Sequence, residues 1–255
     1  MKSELKIIKI GGKIISDNNT LQNYINKIKN INENIILIHG GGNIANQYFS
    51  KHNLPIKMFN GRRITDKKSL DVLVMLYAGI INKNLVSKLN NSNNNFIGLS
   101  GADSKVIISD KRKVKNIDYG YVGDIKSIDS EFITKLIKSK TYPVFCPITY
   151  DNKGSLLNTN ADTIATKISI EMTKYFDVYL YYCFDKKGVI IDNKVCNRLN
   201  ENDYKKYLKT NQIKDGMIPK LENSFNSIRN GVKKVFIGDI DIFEKSNNNT
   251  EICLV

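Results

Sequence analysis

Short apolar runs that end in glycine alternate along this chain with longer stretches whose apolar positions recur every three or four residues. Residues 5–10 predict a buried strand, rich in Ile, interrupted by Lys9 and closed by Gly11-Gly12. Thr20 is then expected to cap a helix with Leu21, Tyr24, Ile25, Ile28 and Ile31 at helical spacing. A second apolar run, 35–38, leads into His39-Gly40-Gly41-Gly42 and a helix from about Asn43. After Pro55, the loop Asn60-Gly61-Arg62-Arg63-Ile64-Thr65-Asp66 precedes a long helix with Leu70, Leu73, Tyr77, Ile81 and Leu85 on one side.

The same alternation continues to the end. Residues 96–100 predict a strand ending in Gly101-Ala102-Asp103, and 105–108 with 114–125 a hairpin turning at the basic cluster Lys111-Arg112-Lys113 and Lys115. A helix over 128–138, a strand over 143–148, a helix from Asp162 and a strand over 178–182 follow. Gly216-Met217-Ile218-Pro219-Lys220 opens the last clear helix, where Pro219 fits a first turn, and 232–238 form one more strand. Strands alternating with helices imply an α/β protein: a three-layer α/β/α sandwich with an open, mainly parallel central sheet.

Composition changes this picture little. At 255 residues the chain can bury a substantial core. The apolar run before Gly11 is too short for a signal peptide, and no uninterrupted apolar stretch nears the roughly 18 to 20 residues of a membrane span, so a soluble, cytoplasmic chain with no membrane partner is expected. Four scattered cysteines without C-x-x-C spacing argue for free thiols and against a zinc site. The net charge of +14 is spread through every segment, a compositional drift towards Lys, Asn and Ile rather than a nucleic-acid footprint, so no nucleic-acid partner is expected.

The candidate chemistry sits at the strand ends. Leu157-Asn158-Thr159-Asn160-Ala161-Asp162 places two amides and a carboxylate at a strand-to-helix junction, where α/β proteins hold ligands. Asn160 reads as an ordinary helix cap. Asp162 would repel phosphate and so would position cations or bind metal. Three consecutive glycines after 35–38 let backbone N–H groups approach an anion. Lys9 near a buried strand end needs an anionic partner, and Lys220 would reinforce the positive end of a helix dipole. The Arg62-Arg63 pair could grip a carboxylate. No G-x-x-x-x-G-K-[ST], H-R-D, D-F-G or G-x-G-x-x-G occurs, which leaves phosphoryl transfer on another fold.

Ile8-Lys9-Ile10-Gly11-Gly12, His39-Gly40-Gly41-Gly42, Asn60 to Thr65, Asn158 to Asp162 and Gly216 to Lys220 resemble, in order and approximate spacing, the motifs of acetylglutamate kinases, members of the amino acid kinase family. The resemblance implies that Lys9 and Lys220 neutralise the transferring phosphoryl group, that Asp162 holds the two lysines, and that Gly12 and Gly41 donate N–H groups to it. It implies that Gly41, Gly42, Arg63 and Asn158 bind the acylated amino acid. Lys9, Gly11, Gly12, Asp185, Gly188, Lys214 and Lys220 would meet ATP, whose Mg²⁺ is held mainly by the nucleotide phosphates. Residues 1–150 would form a lobe binding the acylated amino acid and hosting a homodimer interface, and 151–255 a lobe binding ATP. Because the first strand begins near Met1, without the extra helix of arginine-inhibited hexamers, a dimer insensitive to arginine is expected.

The implied reaction puts a phosphoryl group on the γ-carboxylate of N-acetyl-L-glutamate, a step of arginine biosynthesis, with N-succinyl-L-glutamate as the alternative substrate. A carboxylate with a reference pKa near 4.3 is already ionised, so no general base is needed. The obstacle is an anion attacking an anion, roughly 4 kcal/mol for one charge pair at about 4 Å and an effective dielectric of about 20. Two lysines and backbone donors could offset that. Carbamate, glutamate or uridylate kinases, and a non-catalytic regulator of the same fold, remain as rivals.

Overall fold

The computed structural model describes residues 2–59, 61–214, 216–243 and 249–254. Its main sheet has eight strands: β1 (Glu4–Ile10), β2 (Asn34–His39), β3 (Asn95–Leu99), β6 (Thr141–Phe145), β9 (Asp177–Cys183), β10 (Arg198–Leu199), β11 (Lys234–Gly238) and β12 (Thr250–Ile252). Their spatial order is β10-β12-β11-β9-β1-β2-β6-β3. All neighbours run parallel except β11 and β12. Four strands, β4 (Ile107–Val114), β5 (Ile117–Ile128), β7 (Ile148–Tyr150) and β8 (Leu156–Asn158), close into a small barrel beside it.

Period-two alternation in β1 and β2 explains why both sheet faces are buried. Leu5 and Ile7 join Ile36 and Ile38 against Ile164, Ala165, Leu221 and Phe225 on one face. Ile8 and Ile10 join Ile35 and Leu37 against Leu21, Tyr24, Phe49 and Leu73 on the other. The helices supplying the first face are α6 (Ala161–Met172) and α8 (Met217–Arg229), and α2 (Asn18–Lys29) and α3 (Gly42–Lys51) help cover the second. Lys9 shares the parity of Leu5 and Ile7, so it is directed to the face covered by α6 and α8.

The helix over Lys67–Leu89 is continuous through a π-helical segment, Met75–Ile81, and is the one helix among the described residues long and apolar enough to cross a membrane. Leu70, Leu73, Leu76, Tyr77, Ile81, Leu85 and Leu89 are buried along it, the pattern of a core helix.

Two expectations change. Asp17, not Thr20, caps α2: its carboxylate accepts the Thr20 N–H at 2.8 Å, a stronger acceptor one turn earlier. The basic cluster lies within β4, and the hairpin turns at Lys115-Asn116, where Asn116 takes φ +68°, a left-handed conformation Asn tolerates. None of Gly40, Gly41 and Gly42 lies in the left-handed region, so close approach and not turn geometry requires them. Asn160 does cap α6, accepting from the Thr163 N–H at 3.0 Å. Asn60 lies outside the described residues.

Candidate active site

Parallel strands deliver their following helices to one edge of the sheet, so the loops after β1 and β2 meet there, joined by the end of β8 from the small barrel. Lys9 on β1, Asp162 in the first turn of α6 and Lys220 in the first turn of α8 meet at this edge. The Lys9 ammonium lies 2.8 Å from one Asp162 carboxylate oxygen, an ion pair without hydrogen-bond alignment, and Lys220 donates to the other at 3.3 Å. Both lysine side chains are 10% exposed. Burial disfavours ionisation of Asp162, but the nearby Lys220 and Lys9 outweigh it and hold the carboxyl well below the usual range. Burial lowers the Lys220 pKa and Lys9 adds to that, while Asp162 opposes it. Lys220 also stands 5.1 Å from the ring centroid of Tyr182 and 5.6 Å from that of Phe184, whose faces help hold the cation.

Beside this triad the two glycine corners face each other. A Cβ on Gly12 would meet the backbone nitrogens of Gly42, Asn43 and Gly41 at 3.3, 3.5 and 3.5 Å, so three N–H groups converge on the space over Gly12. A Cβ on Gly40 would come within 3.1 Å of the Gly12 nitrogen. On Gly41 it would strike the Tyr77 ring at 2.5 Å. The arrangement is a nest of backbone donors at the N-terminus of α3, suited to an anion. The Gly11 N–H is committed elsewhere, donating to the Cys183 carbonyl at 2.9 Å.

Lys9, Asp162, Gly12 and the Gly40 to Asn43 corner line a cavity of about 300 Å³ that also takes in Arg63, Asn46 and Asn158. The Arg63 guanidinium lies 4.8 Å over the Phe49 ring and donates to the Asn46 side-chain oxygen; its other terminal nitrogen is buried without a partner among the described residues. Asn158 donates to the Thr65 hydroxyl at 3.0 Å, which is itself tied to the Arg63 carbonyl at 3.0 Å. Arg62 lines the same cavity. Burial lowers its pKa, Arg112 lowers it further and Asp124 raises it. Arg112 donates to Asp124 at 2.6 Å, and the same carboxylate stands near enough to favour the Arg62 cation.

A second cleft, about 430 Å³, opens on the far side of Lys220 and includes Phe184, Gly188, Gln212 and Lys214. Its upper wall depends on Thr250, whose hydroxyl accepts the Val189 N–H at 2.9 Å; a Cβ on Gly188 would meet that hydroxyl at 2.6 Å. Asp185 is not among its lining residues. It pairs with Lys13 at 2.7 Å on the exposed rim.

The structure thus brings together Lys9, Gly12, Gly41, Gly42, Arg63, Asn158, Asp162 and Lys220, places Gly188 and Lys214 in the adjoining cleft, and leaves Asp185 and Gly11 aside. Sequence reasoning missed Asn46, Tyr77, Tyr182 and Phe184 as parts of the site. Asn46 had a signal, lying one helical turn after Gly42 on the helix that follows the glycines. Tyr77 read as core spacing and only the fold sets its ring under Gly41.

Comparison with known proteins agrees with this geometry. Residues 4–239 match the amino acid kinase family. The chain is 44% identical over 241 residues to the acetylglutamate kinase of Bacteroides fragilis, covering 93% of this chain and 92% of that one. It is 41% identical over 255 residues to the acetylglutamate kinase of Cytophaga hutchinsonii, covering 98% and 97%. The crystal structure of smu.665 from Streptococcus mutans superposes with a TM-score of 0.84 at 26% identity, over 98% of this chain and 99% of that one. With its lysine–aspartate–lysine bridge and paired glycine corners in place, the chain belongs to the amino acid kinase family and groups within it with the acetylglutamate kinases.

Proposed function

We propose that this kinase transfers the γ-phosphoryl group of ATP to the γ-carboxylate of N-acetyl-L-glutamate, giving N-acetyl-L-glutamyl 5-phosphate in arginine biosynthesis. The observation that carries this reading is the Asp162 carboxylate bridging Lys9, on the cavity side, and Lys220, on the cleft side. The acylated amino acid occupies the cavity, with Arg63 on its α-carboxylate and Asn158 beside it. ATP occupies the cleft, with Gly188 and Lys214 along it. Its phosphates reach Lys220 and Lys9, and the nest over Gly12 accepts the charge that builds as the phosphoryl group moves.

The described residues include no group of three or more His, Cys, Asp or Glu placed to hold a metal ion, and Asp162 is engaged by two ammonium groups. Magnesium in this reading enters with the nucleotide as part of the substrate. In this reading the N-terminal lobe, 1–150, carries the amino-acid site and 151–255 the nucleotide site; the sheet supports this by assigning β1, β2, β6 and β3 to one half and β9, β11, β12 and β10 to the other. Met75 and Ile80 are exposed on the long helix, which packs beside β3 with its exposed Ile97, and this face suits a homodimer interface. The enzyme acts in the cytoplasm.

One observation favours a second substrate. The Arg62 guanidinium, whose charge burial and Arg112 both disfavour, stands at the wall of the amino-acid cavity, where the carboxylate of an N-succinyl group would pair with it. A coupled ADP-release assay with N-acetyl-L-glutamate, N-succinyl-L-glutamate and free glutamate tests both readings. Turnover of an acylated substrate and not of glutamate supports the proposal, and ADP release with none of them overturns it.

A further inference from the structure

The buried histidine that precedes the three glycines has no role in the reaction as described so far. His39 ends β2 and is wholly buried. Its Nδ1 lies 2.7 Å from the Gly40 carbonyl oxygen, and its Nε2 lies 3.2 Å from the side-chain amide nitrogen of Asn82. A carbonyl can only accept and that amide nitrogen can only donate, so the ring is neutral with its hydrogen on Nδ1. Asn82 is anchored in turn by donating to the Val144 carbonyl at 2.9 Å, and it begins the α-helical stretch after the π-helical segment. Burial pushes the His39 pKa down to about 4, which keeps the ring in this single state at neutral pH.

The carbonyl of Gly40 and the N–H of Gly41 belong to one planar, trans peptide, so they point in opposite directions. Gly41 contributes its nitrogen to the nest over Gly12, and no hydrogen bond among the described residues uses that N–H. Gly41 has no side chain to hold this peptide, and the tight space under the Tyr77 ring allows none. Without a tether, the Gly40–Gly41 peptide could rotate its carbonyl into the anion site and its donor out.

We propose that His39 is a positioning residue for phosphoryl transfer: by donating from Nδ1 to the Gly40 carbonyl it fixes the Gly41 N–H towards the phosphoryl site. The inference rests on the kinase reading above and adds a residue that touches neither substrate.

The two amide side chains separate this role from simple space filling. In His39→Asn the amide nitrogen sits where Nδ1 was and can still donate to Gly40. In His39→Gln the amide oxygen can reach the position of Nε2 and accept from Asn82, which leaves no donor at Gly40. Removing one preorganised backbone donor costs about 10² to 10³ in kcat. We expect His39→Gln to lose about 10²-fold in kcat with each KM within about threefold of wild type, and His39→Asn to recover most of that loss. Gln matching or exceeding Asn, or a loss carried by KM, would overturn the proposal. Should either variant fail to fold, the wild-type protein still decides: a slowly exchanging His39 Nδ1–H with a scalar coupling to the Gly40 carbonyl carbon is expected in NMR, and absence of that coupling overturns it. Failure of the wild type to release ADP with any acylglutamate would instead refute the kinase reading.

Discussion

Asp162 holds Lys9 at 2.8 Å and Lys220 at 3.3 Å, one on each of its carboxylate oxygens, so two ammonium groups, one from β1 and one from α8, are kept side by side. Removing the carboxylate leaves two covered like charges facing each other. Asp162→Asn should therefore destabilise the substrate-free protein by about 3 kcal/mol. It should also gain more thermal stability from ATP than the wild type does, because phosphate replaces the lost anion. Differential scanning fluorimetry with and without nucleotide checks this, and equal ATP-induced shifts in the two proteins would contradict it.

Lys9→Ala and Lys220→Ala should each lower kcat by about two to three orders of magnitude, since a charge built for the transition state acts mainly there. Lys9→Ala should leave ATP affinity closer to wild type than Lys220→Ala does, because Lys220 alone lines the nucleotide cleft. Steady-state ADP release and nucleotide titration provide the comparison. Turnover near the wild-type rate in both variants would remove the lysines from the mechanism.

The glycine corners predict two different failures. In Gly41→Ala the new methyl would sit 2.5 Å from the Tyr77 ring, so the variant should lose stability, by about 1 to 3 kcal/mol for an overpacked site. In Gly12→Ala the methyl is 3.3 to 3.5 Å from the nest nitrogens, which permits folding but fills the anion site. That variant should melt near wild type and lose most of its kcat. Melting curves beside kinetics separate the two, and full activity in Gly12→Ala would show that the nest is not used.

Arginine at 63 and at 62 should part in their effects. Arg63→Ala removes the only described partner of the Asn46 oxygen together with the buried cation of the cavity, so KM for any acylglutamate should rise by about 10²-fold, roughly 3 kcal/mol. Arg62→Ala should act on the acyl group alone, lowering kcat/KM for N-succinyl-L-glutamate more than for N-acetyl-L-glutamate. An unchanged ratio between the two substrates would leave Arg62 without a part in their discrimination.

His39 also predicts an acid limit. Its pKa in the fold is about 4, below an unfolded value of about 6.5, so the unfolded chain binds the proton first. Stability should fall as pH drops from about 6.5 to about 4, by about 3 kcal/mol from this group, and the contribution should level off below that. Urea melts across this range should show the slope in the wild type and a shallower one in His39→Asn. Equal slopes would place the histidine in an exposed, titrating state.

Much of the architecture was legible because it rests on local periodicity. Near-continuous apolar runs at 5–10 and 35–38 suit strands buried on both faces, and the parity that put Leu5 and Ile7 on one face directed Lys9 there as well. Asn160 announced its cap by residue type, and Asp162 its need for cations by charge. The chain by itself therefore determined the strand and helix alternation, the basic and glycine-bearing strand ends, and a carboxylate at a strand-to-helix junction that would position cations or bind metal; its link to two lysines came from the family resemblance. Only the tertiary structure decided which corners meet. It paired Gly12 with the nest of Gly41 to Asn43, slid Tyr77 beneath a glycine, drew Asn46 onto Arg63 and left Asp185 on the rim with Lys13. Those outcomes depend on contacts between residues tens of positions apart, set by strand order and helix docking. No local pattern of polar and apolar residues encodes the distance between two loops.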